Sequence, residues 1–390
     1  MIKRVGLFHL FIAVTLVLTG CWDQVEIEQR GFIVGSGIDL AGSKENETQE
    51  LTLTHQFVVP AGIGTPSEGG GDTQAFDNLT ASGDSMFDIS RKMADQTSRI
   101  PFYEHEKVVV ISNNVAERPY LFGKVMDIFL RNPEMRRSIK VVVTDGKASD
   151  VLNTKPESEK IPIIYLDSIM ENSFTNASEI EPVKIGTVHE NLMNKLSYVL
   201  PQIIPKEKSM ESKGAAVFKG YNNQMIGSLN GLDAKGLNLI TGKAQEGVIK
   251  IAIHKKNITY ELEKANSKIK LNTDDIRHMD VQVNIDTSGV ISETFGTQNL
   301  FQGGTVREIE KQVSEEIKKI AEQTIHKAQE ELETDIFGIG KMLKERHYDQ
   351  WQQMKDDWDH GENYFTDVTF HVNVTSRIRT TGNVNKTKKK

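Results

Sequence analysis

At 390 residues, with 38% hydrophobic residues, 16 Phe and three Trp, the chain is long enough to build two or three domains with real cores. Its net charge of −7 argues against nucleic acid as the main partner, because neutralising phosphates takes clustered Lys and Arg. A single cysteine, Cys21, leaves no pair for a disulfide and no thiolate set for zinc.

That cysteine closes the first element. Lys3 and Arg4 give a positive start, Val5 to Leu18 is apolar, and Leu18-Thr19-Gly20-Cys21 follows. Charge, apolar run and small residues in this order read as an export signal. The run is shorter than the ~20 residues that a helix needs to span a bilayer. We read Leu18-Thr19-Gly20-Cys21 as a lipobox. The Cys21 thiol would carry a thioether-linked diacylglycerol, residues 1–20 would be removed, and Cys21 would become the first residue. Two or three acyl chains on one residue anchor stably, where a single chain binds only marginally. No later stretch is long and apolar enough to span a membrane, so the body is expected to hang from the membrane surface. Lipidation would also leave no thiol for catalysis.

Residues 22–29 read as a polar lead between anchor and fold. Gly31 to Leu40 is predicted to be a buried strand; Gly35 and Gly37 lack the third glycine and following helix of a dinucleotide fingerprint. Leu51, Leu53, His55, Phe57 and Val59 alternate with Thr52, Thr54, Gln56 and Val58, the period of a half-buried strand, with His55 as a core histidine. Pro60, Gly62, Gly64, Pro66 and Gly69-Gly70-Gly71 mark 60–75 as a mobile loop with no packed element, and the Lys-Ser/Thr ending of a P-loop is absent. A strand near 76–82 leads to a helix near 84–98 with Met86, Ile89 and Met93 on one face. Lys107 to Ser112 is a strand. Tyr120 to Arg131 is a helix with Leu121, Val125, Ile128 and Phe129 at helical spacing, stopped by Pro133. Ile139 to Thr144 is a strand and Ala148 to Leu152 a short helix. The alternation predicts an α/β layer with some parallel pairing.

Residues 153–182 are rich in Pro, Glu, Ser and Asn around one apolar piece, Ile161 to Met170. Gly186 to Leu196 is predicted helical. Pro201 and Pro205 bracket Lys206-Glu207-Lys208, which places the main boundary near 205–212. Beyond it, Gly214 to Lys219, Met225 to Leu229, Gly247 to Ile253 and Met279 to Ile285 read as antiparallel strands. Thr305 and Glu308 then read as a capping box. Val306, Ile309, Val313, Ile317, Ile320, Thr324, Ala328, Leu332 and Ile336 follow at spacings of three and four, a helix of ~45 Å with one stripe for a sheet. Asp335 to Gly340 breaks it. One further helix carries Leu343, Trp351, Met354 and Trp358. Val368, Phe370, Val372, Val374 and Ile378 mark a last half-buried strand, and 383–390 is a disordered basic tail.

Few residues suggest chemistry. His189-Glu190 lacks the second histidine of a zinc-protease helix. Asp356, Asp357, Asp359, His360 and Glu362 are dense enough for a metal but lack His at i, i+4 and calcium-loop offsets, so a solvated helix end is the competing reading. Glu104-His105-Glu106 is an acid–base group or simply the turn before a strand. There is no Gly-x-Ser-x-Gly elbow. Trp351 and Trp358 serve either as a ligand platform or as core.

Several of these pieces recur together in one family. They are Gly20-Cys21-Trp22-Asp23 with Glu26-Ile27, the Gly31 to Asp39 strand, Tyr103-Glu104-His105, Gly214 to Lys219, Gly227 with Leu229, Asp335 to Gly340, the Trp351/Trp358 pair and Phe365. In this order, over essentially the whole chain after the signal, the sequence resembles the Ger(x)C family, the lipoprotein C subunits of spore germinant receptors in endospore-forming bacteria. Where the family often carries Pro three residues before the first of these tryptophans, this chain has Tyr348. The resemblance implies several α+β domains, a place on the outer face of the spore inner membrane, and a complex with two integral membrane partners, the A and B subunits. It implies no enzyme activity, no cofactor, no metal and no catalytic residue. Only Cys21, as the lipid attachment site, carries over.

The expected fold is therefore α+β and multi-domain. Residues 1–20 are a removable signal, 21–205 a mixed α/β region divisible into two subdomains, and 213–382 a β-rich α+β domain with one long helix packed on a sheet. The expected function is that of a lipid-anchored, non-enzymatic germinant-receptor subunit. Two rivals remain: a solute-binding lipoprotein feeding a transporter, favoured by the α/β character of the first 150 residues, and an envelope hydrolase using Glu104/His105 or the 356–362 cluster.

Overall fold

Parallel strands covered on both faces need apolar residues at every position. Val108-Val109-Val110-Ile111 and Val141-Val142-Val143 are such runs, and all seven residues are fully buried. They lie at the centre of a computed structural model that describes residues 26–42, 50–64, 73–253, 255–275, 277–294 and 304–380. The lipobox, Trp22, Asp23 and the tail 383–390 lie outside the described residues.

The chain begins with Arg30–Leu40 (β1), Leu51–Val58 (β2), Phe76–Gly83 (β3), Met86–Ala94 (α1), Ile100–Phe102 (β4), Val108–Ser112 (β5), Asn113–Ala116 (α2) and Leu121–Arg131 (α3). It continues through Lys140–Thr144 (β6), Ala148–Asn153 (α4), Pro162–Glu171 (α5), Val183–Lys184 (β7), Ile185–Asn194 (α6), Tyr198–Pro205 (β8), Met210–Lys219 (β9) and Gln224–Leu229 (β10). These strands form one ten-stranded sheet in the order β10-β9-β8-β6-β5-β1-β2-β3, with β4 beside β1 and β7 beside β6. Strands β1, β5, β6 and β8 are parallel, which meets the expectation of an α/β layer. Helices α1, α2, α3 and α6 pack on one face through Met93, Val115, Phe122 and Val188. Helices α4 and α5 cover the other through Leu152, Ile163 and Leu166.

That second cover explains a difference in β2. The strand is buried on both faces rather than half-buried, because Gln56 Nε2 donates to the Leu152 carbonyl at 2.8 Å and Gln56 Oε1 accepts from Ile163 N at 3.1 Å. The proline- and glycine-rich stretch after β2 also holds a packed turn. Pro60–Gly62 forms a 3₁₀ turn, and Lys160 Nζ donates to the Gly62 and Gly64 carbonyls at 3.1 and 3.0 Å.

The second half adds Gly231–Thr241 (α7), Gly247–Ile253 (β11), Lys256–Asn272 (β12), Asp280–Thr294 (β13), Thr305–His326 (α8), Ile339–Arg346 (α9), Tyr348–Met354 (α10) and Thr369–Thr380 (β14). The sheet order is β11-β12-β13-β14. The first three strands are antiparallel, but β14 runs parallel to β13, because helices α8 to α10 carry the chain back to the end where β13 began. The long helix lays the expected stripe on this sheet: Ile309, Val313, Ile317, Ile320, Thr324 and Ala328 are buried. Its ends differ from expectation. Gly304 is the N-cap and Thr305 already helical, so there is no capping box. A π-helical turn at Lys327–Glu331 closes the helix, leaving Ile336 beyond it. The tryptophan-bearing helix is two helices, broken at His347; Tyr348 occupies the first position of α10, and Trp358 lies beyond its end at Met354 rather than on a helix.

The segment 205–212 forms the β8–β9 hairpin, with Lys206 N donating to the Ser209 carbonyl at 2.9 Å. Strand β9 thus completes the first sheet while its two faces serve different cores. Ala216 and Phe218 belong to the core under α3, whereas Ala215 and Val217 belong to that of the second half. Helix α7 sits in the second core against α8. A Cβ at Gly236 would stand 2.0 Å from Thr324 Oγ1 and 2.9 Å from the Ile320 carbonyl. Gly236→Val is therefore expected to cost about 1–3 kcal/mol through overpacking. A thermal melt checks this, and an unchanged melting temperature would mean that the two helices separate freely.

Candidate functional site

Residues that looked chemical in the sequence do not converge. Glu104 and His105 are exposed in the turn before β5; Arg136 lies 3.6 Å from Glu104, and the His105 ring packs against Phe32 and Phe102. On α6, His189 meets Arg137 at 3.1 Å and Glu190 meets Lys341 at 2.8 Å. Asp357 Oδ1 accepts from Glu362 N at 3.2 Å, and Asp359 is buried rather than solvated. Among the described residues no three His, Cys, Asp or Glu side chains are grouped to hold a metal ion. Trp351 and Trp358 are buried edge to face, with centroids 6.4 Å apart, as core.

A cluster that the sequence did not announce lies inside the first sheet. Ser36 Oγ on β1 sits 2.8 Å from His55 Nδ1 on β2 and also bonds Oε1 of Glu106, just before β5. All three residues are buried. Burial pushes the His55 pKa down to about 3. It pushes Glu106 up to about 8, against the opposing pull of the Ser36 hydrogen bond. Both groups are then neutral at pH 7. Ser36 Oγ donates to Glu106 Oε1, and with its one hydroxyl proton committed there it accepts from His55 Nδ1–H, the tautomer that satisfies both bonds. In a hydrolytic triad the imidazole sits between serine and carboxylate and the serine faces substrate. Here the serine is central and enclosed, so the cluster is a structural bolt between three strands. Sequence pattern gave His55 on an inward face and Glu106 only within the Glu104-His105-Glu106 turn; Ser36 and Glu106 lie 19 and 51 positions from His55 along the chain and meet it only through sheet pairing.

The second cluster joins the two halves. Asp335, in the loop after α8, accepts from Phe337 N and Ile339 N at 3.1 Å through Oδ1, and from Gly340 N at 2.6 Å and Trp358 Nε1 at 2.9 Å through Oδ2. Burial raises its pKa, opposed by these donors. Next to Trp358, Asp359 bonds the Ser197 hydroxyl at the start of β8, and Ser197 Oγ accepts from Gly220 N at 2.9 Å. Burial raises the Asp359 pKa as well. Lys344 bonds Asn194, a second link from α9 to α6. Around this junction opens a cavity of about 730 Å³, walled by Tyr198, Ile240, Lys268, Phe337 and Trp351 among others. The arrangement positions two halves and encloses a space; its carboxylates are already committed to structural bonds.

Comparison with known proteins agrees with this architecture. The family model described as spore germination protein N-terminal domain matches residues 23–205. The model described as spore germination B3/GerAC like, C-terminal, matches residues 213–382. Among curated relatives, spore germination protein YndF of Bacillus subtilis (strain 168) is 29% identical over 92% of this chain and 93% of its own length. Spore germination protein A3 of the same organism is 26% identical over 98% of this chain and 100% of its own length. Spore germination protein B3 is 24% identical, with the same coverage of 98% and 100%. The crystal structure of the GerBC protein shares the fold, with a TM-score of 0.60 at 21% identity, covering 88% of this chain and 97% of that one. Two family models laid end to end over nearly the whole chain, on a shared fold, establish that it belongs to the Ger(x)C family of spore germination proteins.

Proposed function

We propose that the chain is a lipid-anchored, non-catalytic subunit of a nutrient germinant receptor. It is held on the outer face of the spore inner membrane through a lipidated Cys21 and assembles with two integral membrane partners, the A and B subunits. The carrying observation is the pair of germination-family matches beginning at residue 23, directly behind the lipobox. Among the described residues no helix is long and apolar enough to cross a membrane, so in this reading Cys21 supplies the attachment. The burial of Ser36, His55 and Glu106 supports the non-catalytic part. A solute-binding lipoprotein would gain support from a second lobe like the first. The second sheet instead has four strands, ordered β11-β12-β13-β14, beside the first sheet's ten.

The anchor's physical role is positional. It turns a weak contact with a membrane partner into an encounter at high effective concentration. Cys21→Ala is expected to leave the fold intact by circular dichroism, move the protein from the membrane to the soluble fraction of fractionated spores, and impair germination. Full germination by the Cys21→Ala protein at normal receptor levels would sink the proposal.

A further inference from the structure

The cavity between the halves carries two features that the receptor assignment does not use. One is an open strand edge. Strand β12 pairs with β11 only over Lys256 to Leu262, while it pairs with β13 as far as Asn272. From Glu263 to Asn272 it therefore has a ladder partner on one side only, and no backbone group outside the sheet bonds that stretch among the described residues. The end of α7 closes on Ser267, where a Cβ at Gly242 would lie 3.4 Å from Ser267 N. The cavity wall then takes in Ser267, Lys268, Ile269 and Lys270 consecutively. Successive side chains of a strand point to opposite faces, so a space touching four in a row runs along the strand's edge. The Ser267 hydroxyl and the buried hydroxyl of Tyr198, which also lines the cavity, have no hydrogen-bond partner among the described residues.

The other feature is charge. In a chain with net charge −7, Lys195, Lys243, Lys268, Lys270 and Arg346 all line this cavity, and none has an ion-pair partner among the described residues. Three acids face them. Asp335 and Asp359 are buried and bonded to Trp358 and Ser197, which leaves Glu345. Lysine on an open edge discourages pairing with neutral strands of other molecules. The same charges favour a strand that brings carboxylates.

We propose that the 268–272 edge of β12 receives an extended acidic segment of a partner chain as an added strand. Its backbone would complete the β12 ladder, and carboxylates at alternate positions would meet Lys268 and Lys270. Strand addition draws affinity from main-chain hydrogen bonds and specificity from alternate side chains.

The test uses the full chain purified in detergent and a fluorescein-labelled hexapeptide of alternating Glu and Val, read by fluorescence anisotropy and amide hydrogen exchange. Expected are saturable binding, added protection of the 268–272 amides, and at least tenfold weaker binding to Lys268→Glu/Lys270→Glu. Reversing Lys311 and Lys318, on the exposed side of α8, should leave binding unchanged. The alternating Lys-Val peptide should not bind, and N-methylation of alternate amides in the Glu-Val peptide should abolish binding. Two of these readouts use the native chain, so they stand even where a lysine variant folds poorly. Absence of binding, equal binding of the N-methylated peptide, or insensitivity to the Lys268/Lys270 reversal overturns the proposal. Equal binding of the N-methylated peptide would point to anion attraction alone.

Discussion

Asp335→Ala is expected to remove about 3–5 kcal/mol of stability, because it strands several buried donors at once and each unpaired buried donor costs about 1–3 kcal/mol. The donors are the backbone N–H groups of Phe337, Ile339 and Gly340 and the indole of Trp358. Releasing a carboxylate whose pKa burial already raises returns part of the loss, which keeps the figure below the sum of its parts. Asp335→Asn should fall between wild type and Asp335→Ala. Its amide oxygen still accepts two bonds, but its NH₂ then meets other donors. Chemical denaturation followed by tryptophan fluorescence measures both. If Asp335→Ala unfolds at the wild-type midpoint, the loop rebuilds its bonds without a carboxylate and Asp335 is no hub.

The second large effect is on the pH dependence of stability. The folded Glu106 pKa is raised from 4.5 to about 8, so the stability it contributes is fully present below pH 4.5 and is lost as pH rises towards 8. The folded His55 pKa is lowered from 6.5 to about 3, so stability is lost as pH falls below 6.5. The two slopes oppose each other between about pH 4.5 and 6.5 and leave a plateau there, with losses on both sides. Glu106→Gln keeps the shape and an acceptor for the Ser36 hydroxyl but cannot ionise. Between pH 6.5 and 8 it should escape a loss of about 2 kcal/mol that the wild type suffers, at ~1.4 kcal/mol per pH unit. Melting curves of both proteins across that range decide the matter; parallel curves would mean that Glu106 ionises in the folded state near its usual pKa.

Elements whose pattern reports their own burial were legible from sequence. The uninterrupted valines of β5 and β6 and the stripe of α8 announced themselves because every position answers to the same core. Helix α7 did not, since Gly236 and Asn238 interrupt its apolar spacing. Both are there for contacts made elsewhere: Gly236 for the approach to Thr324, and Asn238 for the carbonyls of Ala177 and Glu179, at 2.9 and 2.7 Å. Strand β12 hid behind its lysines, which are spread over a long, partly open hairpin. The Asp335 motif was visible as a helix breaker, but its chemistry depends on Trp358, 23 residues later. The parallel pairing of β14, and the meeting of Ser36 with Glu106, are facts of topology that no local pattern encodes.

Strand β9 carries a mechanical consequence. Its odd-numbered alanine and valine serve one core and its even-numbered alanine and phenylalanine the other, so sliding it by one residue would turn both sets to the wrong side. Small slippage is therefore forbidden, and the strand behaves as a keyed shaft between the halves. A displacement of β9 would therefore disturb the packing of both halves at once.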